Sequence, residues 1–494
     1  MTGGGDGVAA ILSAGRLAAD SQDRAVLDLR GLLQVLEARG ELRRIRRAVD
    51  RGTELPALMG LVDREQRAYL FEQVVGARFP LAGGLLNRYE AYGWALGVPQ
   101  GEPFGRHDLD RRIEAARRAP LPPREVDRGP AQERELAGEA LDLGTLPIPT
   151  MFEMDTGPFI TGAVGVVRDP VSGVQNVGMY RTLVLGRDRL SVNASGSSDL
   201  KVFYEAAARE GRKLPIALAL GVEPAVMMAS VCKLPRGQCE FDLAGALRGR
   251  PLELVRCRTS DLQVPAGAEI VIEAEVDPAS RVGNTFGEWA GLYGPDQAPV
   301  ARVTAITHRS DAIAYAILGG RNPEHTTLAS VTAFEFQRVV GEALRRALPA
   351  AVDVHVFAEH ELGSMLHVVL SHRKSDEESA MRLARAAFQV PVTMGPVPVP
   401  CERVVKRVIV VDPDVDVRDR GDVEWALWTR TARADKYLVL GEAQSWDMER
   451  CAKPGRGSLR LAIDATSDLE DRDKLRRATL RGGSSIRLAD YLAG

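Results

Sequence analysis

Four short segments carry side chains whose types and spacing suit chemistry. The first, Asn176-Val-Gly-Met-Tyr-Arg181, follows the turn Asp-Pro-Val-Ser-Gly. Residues an odd number apart in a strand face opposite sides, so Asn176 and Arg181 share a site only across a bend, which Gly178 makes cheap. Arginine presents a planar fork to a carboxylate; the plainer alternative is an exposed Arg and a turn Asn. The second segment runs from Ser230 to Gly245 and holds Glu240 among apolar residues after a Pro/Gly turn. Glu240 reads either as an oxygen ligand to a hard cation or as a helix-start carboxylate facing the N-terminal dipole. In the third, Glu288 lies in Asn284-Thr-Phe-Gly-Glu-Trp-Ala-Gly-Leu-Tyr293. Apolar neighbours would push its pKa upward and make it a general acid, unless it reaches solvent from a loop. The fourth is Lys406, inside a β-branched run, where it is an edge-strand charge or a cation for a phosphate.

The histidines bound these choices. There are seven, and none falls between residues 108 and 307, so the central stretch works without imidazole of its own. The five cysteines form no CxxC pair, which points to reduced thiols in a cytoplasmic protein and argues against a structural zinc. A net charge of −3 gives no sign of nucleic-acid or membrane-surface affinity, and no apolar run is long enough for a bilayer.

These residues need elements to hold them, and the 494-residue chain is long enough for two or three domains. Residues 1–20 read as a loose extension lacking secretory-signal character, and Asp28 to Arg46 has helical spacing with Asp28 as N-cap. Arg117 to Glu135 reads as a linker. From about Leu141 short β-branched runs separated by turn residues suggest a barrel or sandwich, interrupted by one helix at Asp199 to Arg209. Beyond Ser310 strands and helices alternate as in an α/β layer domain. The tail, Leu469 to Leu492, has the look of a helix that packs on a neighbour.

Taken in order, LPIPT, GPFITGAVGVVRDPVSGVQNVGMYR, LPIALALGVEPA, EFDLAGALRGRPLELVRCRTSDLQVPAGAEIVIE, TFGEWAGLY and DPDVDVRDRGDVEWALWTR resemble the UbiD family of decarboxylases. The resemblance implies a mixed α/β fold in three parts. These are an N-terminal α/β region (1–135), a split-barrel flavin domain (136–310), and a C-terminal α/β domain ending in a dimerisation helix (311–494). It implies prenylated FMN supplied by a flavin prenyltransferase, with the phosphate held through Mn²⁺ or Mg²⁺ and a nearby K⁺. The implied reaction is reversible loss of CO₂ from a small aromatic, heteroaromatic or α,β-unsaturated acid, through a substrate adduct with the flavin, in a homodimer or higher even oligomer.

Residue by residue, Asn176 and Glu240 match metal ligands, Arg181 the arginine of a Glu–Arg–Glu network, and Glu288 the acid that protonates carbon. Lys406 resembles the lysine near the flavin phosphate, Ser230 falls where K⁺ and flavin contacts are made, and Val231, Cys232 and Lys233 form the cofactor-adjacent turn. Two family residues are missing. The third metal ligand, a histidine, has no counterpart in Leu190 to Asp199, where Asn193, Ser195, Ser197 or Asp199 could offer oxygen. Failing those, Arg187, Arg189 or Lys201 could meet the phosphate directly. The first glutamate of the network falls on Gly283, with nothing acidic from Ala279 to Gly287. His325, near the implied pocket, then becomes a candidate proton relay or acid-binding group, or else a loop histidine at a helix start. The alternative to an active decarboxylase is a flavin-binding or scaffold member of the family.

Overall fold

The computed structural model describes residues 26, 28–194, 198–288, 291–357, 366–393, 398–443, 449, 452 and 457–478. The described chain forms two compact units, one running to Glu335 and the other from Phe336 onward. The fold is mixed α/β, as the sequence indicates.

The first helix, α1 (Leu29–Ala38), is capped by Asp28, whose carboxylate accepts from Gly31 N–H at 2.7 Å. Its buried face carries Leu29, Leu32, Leu33 and Leu36, each worth roughly 1.5–3 kcal/mol of transfer free energy. The helix does not reach Arg46. Gly40 takes φ 71°, a left-handed conformation that ends a helix, and Leu42–Ile45 continues as a strand. That strand joins Ala68–Phe71, Leu81–Gly83 and Ala314–Tyr315 in a four-stranded sheet. Buried Arg30 ties α1 to the chain beyond it, gripping Glu269 at 2.8 and 2.9 Å and Asp311 at 2.8 and 2.9 Å.

The central sheet positions the candidate site. Its strands are β1 (Phe159–Ile160), β2 (Ala163–Arg168), β3 (Gln175–Met179), β4 (Thr182–Val184), β5 (Arg189–Val192), β6 (Leu214–Leu220), β7 (Ile270–Gly287) and β8 (Tyr293–His308). They lie in the order β1-β4-β5-β8-β7-β6-β2-β3, and Arg134–Ala137 adds a ninth strand against β8. Among the described residues this sheet does not close on itself, consistent with a split barrel. The long hairpin β7–β8 is its backbone, antiparallel with register shifts after Glu273 and Asp277. Helices α2 (Asp199–Arg209), α3 (Pro224–Ser230) and α4 (Glu240–Arg248) join the strands, and α5 (Pro323–Ala347) follows the sheet. Helix α2 has the predicted bounds and begins with Ser198, whose hydroxyl accepts from Lys201 N–H at 3.3 Å.

The second unit is built on a five-stranded sheet in the order Ala351–Phe357, Leu366–His372, Val405–Val411, Ser458–Ala465, Tyr437–Ala443. Its three middle strands are parallel, with helices Ser379–Gln389 and Arg420–Arg430 in the connections. Of the predicted tail helix, residues 469–475 form turns and residues 479–492 lie outside the described residues.

Candidate active site

The end of β3 and the starts of two helices enclose one cleft in the first unit. The cleft is open to solvent on one side. Asn176, Arg181, Ser230, Val231, Cys232 and Glu240, all singled out in the sequence, line it, with Asn193, Asp199, Lys233 and Thr332. Asn176 and Arg181 do share a site, and the bend that permits it comes after Met179, where β3 ends. Gly178 has a different task. Tyr180 folds back across β2 and β3, where Gly165 and Gly178 are register partners. A Cβ on Gly178 would lie 2.6 Å from the Tyr180 hydroxyl, and one on Gly165 would lie 2.6 Å from its ring. The paired glycines are a cradle for this ring. From there the phenol donates to Asn176 Oδ1 at 3.0 Å.

Glu240 satisfies both of its readings, because it opens helix α4 and lines the cleft. Its carboxylate accepts from Val177 N–H at 2.8 Å and from Asn176 Nδ2 at 3.3 Å. Burial pushes this carboxyl up to about 8, and the negative charge of Asp199 adds to the push. A buried carboxylate beside a second carboxylate and an amide is a hard-oxygen donor set that a divalent cation would stabilise. Among the described residues no three His, Cys, Asp or Glu side chains form a metal-binding group. Of the oxygen donors considered for the missing histidine, Asp199 is the carboxylate placed beside Glu240, while Ser195 and Ser197 lie outside the described residues.

The neighbouring turn is anchored from two sides. Ser230 Oγ donates to Met227 O at 2.8 Å, and Thr332 Oγ1 donates to Val231 O at 2.7 Å. Burial pushes the Cys232 thiol up to about 12, so it is a lining group and not a nucleophile.

At the far end of the residue pair, Arg181 Nη2 meets Glu288 Oε1 at 2.5 Å. The guanidinium also lies 5.3 Å from the Phe286 ring centroid. Glu288 is buried, at 4 % exposure, so the solvent-reaching reading is excluded. It sits just past β7 in a tight turn, its N–H donating to Leu292 O at 2.9 Å. His325, the third residue of α5, is within electrostatic reach of both Glu288 and Arg181. Its Nδ1 lies 3.0 Å from Gly320 O; a carbonyl only accepts, so Nδ1 carries the hydrogen and Nε2 the lone pair in the neutral ring. Burial lowers the His325 pKa, which favours that neutral ring.

Two features escape a reading of the sequence. Gly283, where the family's first glutamate falls, is exposed, and a Cβ there would meet nothing within 4 Å. The additional carboxylate near Arg181 is instead Asp155, from the turn before β1. Its only local signal is an Asp preceding Thr-Gly-Pro, which reads as an ordinary turn. Lys406 belongs to the second unit, where its ammonium bonds Glu449 and Ser458 Oγ.

Comparison with known proteins fits this geometry. Three domain models match in order: the 3-octaprenyl-4-hydroxybenzoate carboxy-lyase N-terminal domain over residues 33–106, the Rift-related domain over 124–322, and the C-terminal domain over 335–465. The UbiD-class enzyme HmfF from Pelotomaculum thermopropionicum, solved in complex with FMN, is 36 % identical with a TM-score of 0.75, covering 94 % of this chain and 100 % of that one. Vanillic acid decarboxylase from Sedimentibacter hydroxybenzoicus, in closed form, is 26 % identical with a TM-score of 0.76, covering 95 % and 100 %. The Synechocystis protein sll0936, described as uncharacterized, is 29 % identical over 467 residues, 90 % of each chain. The chain belongs to the UbiD family of carboxy-lyases.

Proposed function

We propose that this chain is a prenylated-FMN-dependent decarboxylase, or reversible carboxylase, of an aromatic, heteroaromatic or α,β-unsaturated acid. The observation that carries the reading is the Arg181–Glu288 pair at 2.5 Å with His325 beside it. The HmfF structures with FMN and with prFMN support the flavin. When bound, the flavin supplies an electron sink for the carbanion-like centre that loss of CO₂ leaves.

The side chains then divide the work. A substrate carboxylate entering the site competes with Glu288 for the guanidinium fork of Arg181, which anchors it. Glu288, drawn off its cation, takes up a proton and delivers it to the carbon that lost CO₂. His325 is neutral at rest and can accept a proton at Nε2, becoming a transient imidazolium, and return it from the same nitrogen. On the phosphate side, Asn176, Glu240 and Asp199 would hold a Mn²⁺ or Mg²⁺ ion that neutralises phosphate charge. Ser230 and the 231–233 turn would contact the flavin and a K⁺ ion. Lys406 as a phosphate contact, the even-numbered oligomer, the prenyltransferase supplier and the cytoplasmic location are parts of the same proposal. Among the described residues no helix is long and apolar enough to cross a membrane.

The test is co-expression with a flavin prenyltransferase, followed by mass and absorbance analysis of the bound flavin and a CO₂-release screen over unsaturated acids. Glu288→Gln should keep the flavin and lose roughly 10²–10⁴-fold in turnover, the usual worth of a positioned acid. A chain that takes up no prenylated flavin and releases no CO₂ is a scaffold member of the family instead.

A further inference from the structure

The turn 151–156 is fastened to the end of β7 immediately before Glu288. Asp155 Oδ1 accepts from Gly287 N–H at 3.0 Å, while Oδ2 accepts from Phe152 N–H at 3.0 Å and Met151 N–H at 3.2 Å. Thr156 adds three bonds to Thr285: its N–H and Oγ1 donate to Thr285 O at 3.0 and 3.4 Å, and its Oγ1 accepts from Thr285 N–H at 2.8 Å. Phe152 closes over the glycine, so that a Cβ on Gly287 would lie 2.4 Å from its ring, and stacks edge-on against Phe286 at 6.1 Å. One carboxylate thus gathers three backbone donors from two segments more than 130 residues apart in sequence. It does so within electrostatic reach of Arg181.

We infer that Asp155 is the positioning carboxylate of the acid site: it fixes the strand end that presents Glu288 and sets a second negative charge against Arg181. This rests on the reading of Glu288 as proton donor. Position 283 carries no acid, and Asp155 brings a negative charge to Arg181 from another segment. The charged and titratable groups around the pair are Arg181 before β4, Glu288 after β7 and His325 on α5. Glu153 on the same turn and Arg321 before α5 face solvent. Burial raises the Asp155 carboxyl, and the backbone donors and Arg181 oppose that rise.

Asp155→Ala removes both the charge and the acceptor for Gly287 N–H, whereas Asp155→Asn keeps an acceptor there and removes the charge. In flavin-free protein the Gly287 amide should exchange with solvent about 10-fold faster in Asp155→Ala than in wild type, read by NMR-detected hydrogen exchange. In the flavin-loaded enzyme Asp155→Ala should lower kcat by about 10- to 100-fold through the displaced strand end, with flavin content unchanged. Asp155→Asn should recover most of that kcat while lowering KM about 2- to 5-fold, because it leaves Arg181 freer to hold a substrate carboxylate. Asp155→Ser is the second neutral variant should Asp155→Ala not fold. Gly287 exchange, kcat and KM identical to wild type in the folded variants overturn the inference and leave Asp155 a turn cap. If Glu288→Gln retains full turnover, the decarboxylase reading fails instead, and the Gly287 exchange still decides the role of Asp155.

Discussion

The cradle formed by Gly165 and Gly178 makes a sharp prediction. In Gly178→Ala the new methyl carbon would lie 2.6 Å from Tyr180 Oη and 2.8 Å from Cζ. Ordinary carbon contacts are about 3.5–4.0 Å, so the ring must lift by the better part of an ångström. It cannot slide toward β2, where a Cβ on Gly165 would already be 2.6 Å from the same ring. Overpacking of this kind costs about 1–3 kcal/mol, and the lost phenol-to-Asn176 bond about 1 more. Alanine recovers roughly 0.5–1 kcal/mol through the unfolded chain, leaving a net loss of about 2 kcal/mol. Tyr180→Phe removes only the hydroxyl and should cost about 1 kcal/mol. Both variants release Asn176 from its 3.0 Å anchor. Each should therefore weaken Mn²⁺ binding by about 10-fold, the low end for losing a group that orients a ligand. Urea unfolding gives the stability arm and electron paramagnetic resonance titration of Mn²⁺ the binding arm. Because the two changes break one linkage, the double variant should bind no worse than the poorer single one. A Gly178→Ala protein that unfolds and binds like wild type would refute the cradle, and additive losses in the double variant would refute the linkage.

Two further outcomes test the packing. Arg30→Ala leaves Glu269 buried without its bidentate partner, with Arg309 at 3.9 Å a distant remaining cation, and should cost about 3–5 kcal/mol in chemical denaturation. In the second unit, burial and the charges of Arg407 and Lys406 lower His367 to about 4. A base depressed in the folded state contributes stability above its unfolded pKa near 6.5 that is lost as pH falls toward 4. His367→Gln should therefore flatten the decline of stability with falling pH over that window, by about 2–3 kcal/mol after allowing for partial exposure, as read by urea unfolding at a series of pH values.

What could be read in the sequence followed how local its cause is. The α2 helix was legible to the residue because Ser198 caps it and its apolar spacing is clean. The helix from Asp28 was overextended because periodicity continued past Gly40, whose positive φ ends it. Arg181, Asn176 and Glu240 stood out by type, yet their convergence depends on Tyr180 lying over two glycines that only strand pairing makes neighbours. The ordinary reading of Glu288 as a solvent-reaching loop acid failed because a tight turn holds it buried against Arg181. Asp155 was invisible because its function lies in hydrogen bonds to Gly287, far along the chain.

Gly283, exposed on β7 with nothing near it, marks how the site is divided in labour. The cleft residues proposed to hold the phosphate hang on helix starts and a ring clasp, whereas the proposed acid Glu288 hangs on a hairpin tip held by one neighbouring turn. The two assemblies meet through the short segment from Asn176 to Arg181. Such a scaffold can drift at the tip, trading which stretch of chain donates a charge, without disturbing the grip. Diversity of substrates among relatives of this chain would then be written mostly in residues 151–156 and 283–293, a region small enough for exhaustive mutational scanning.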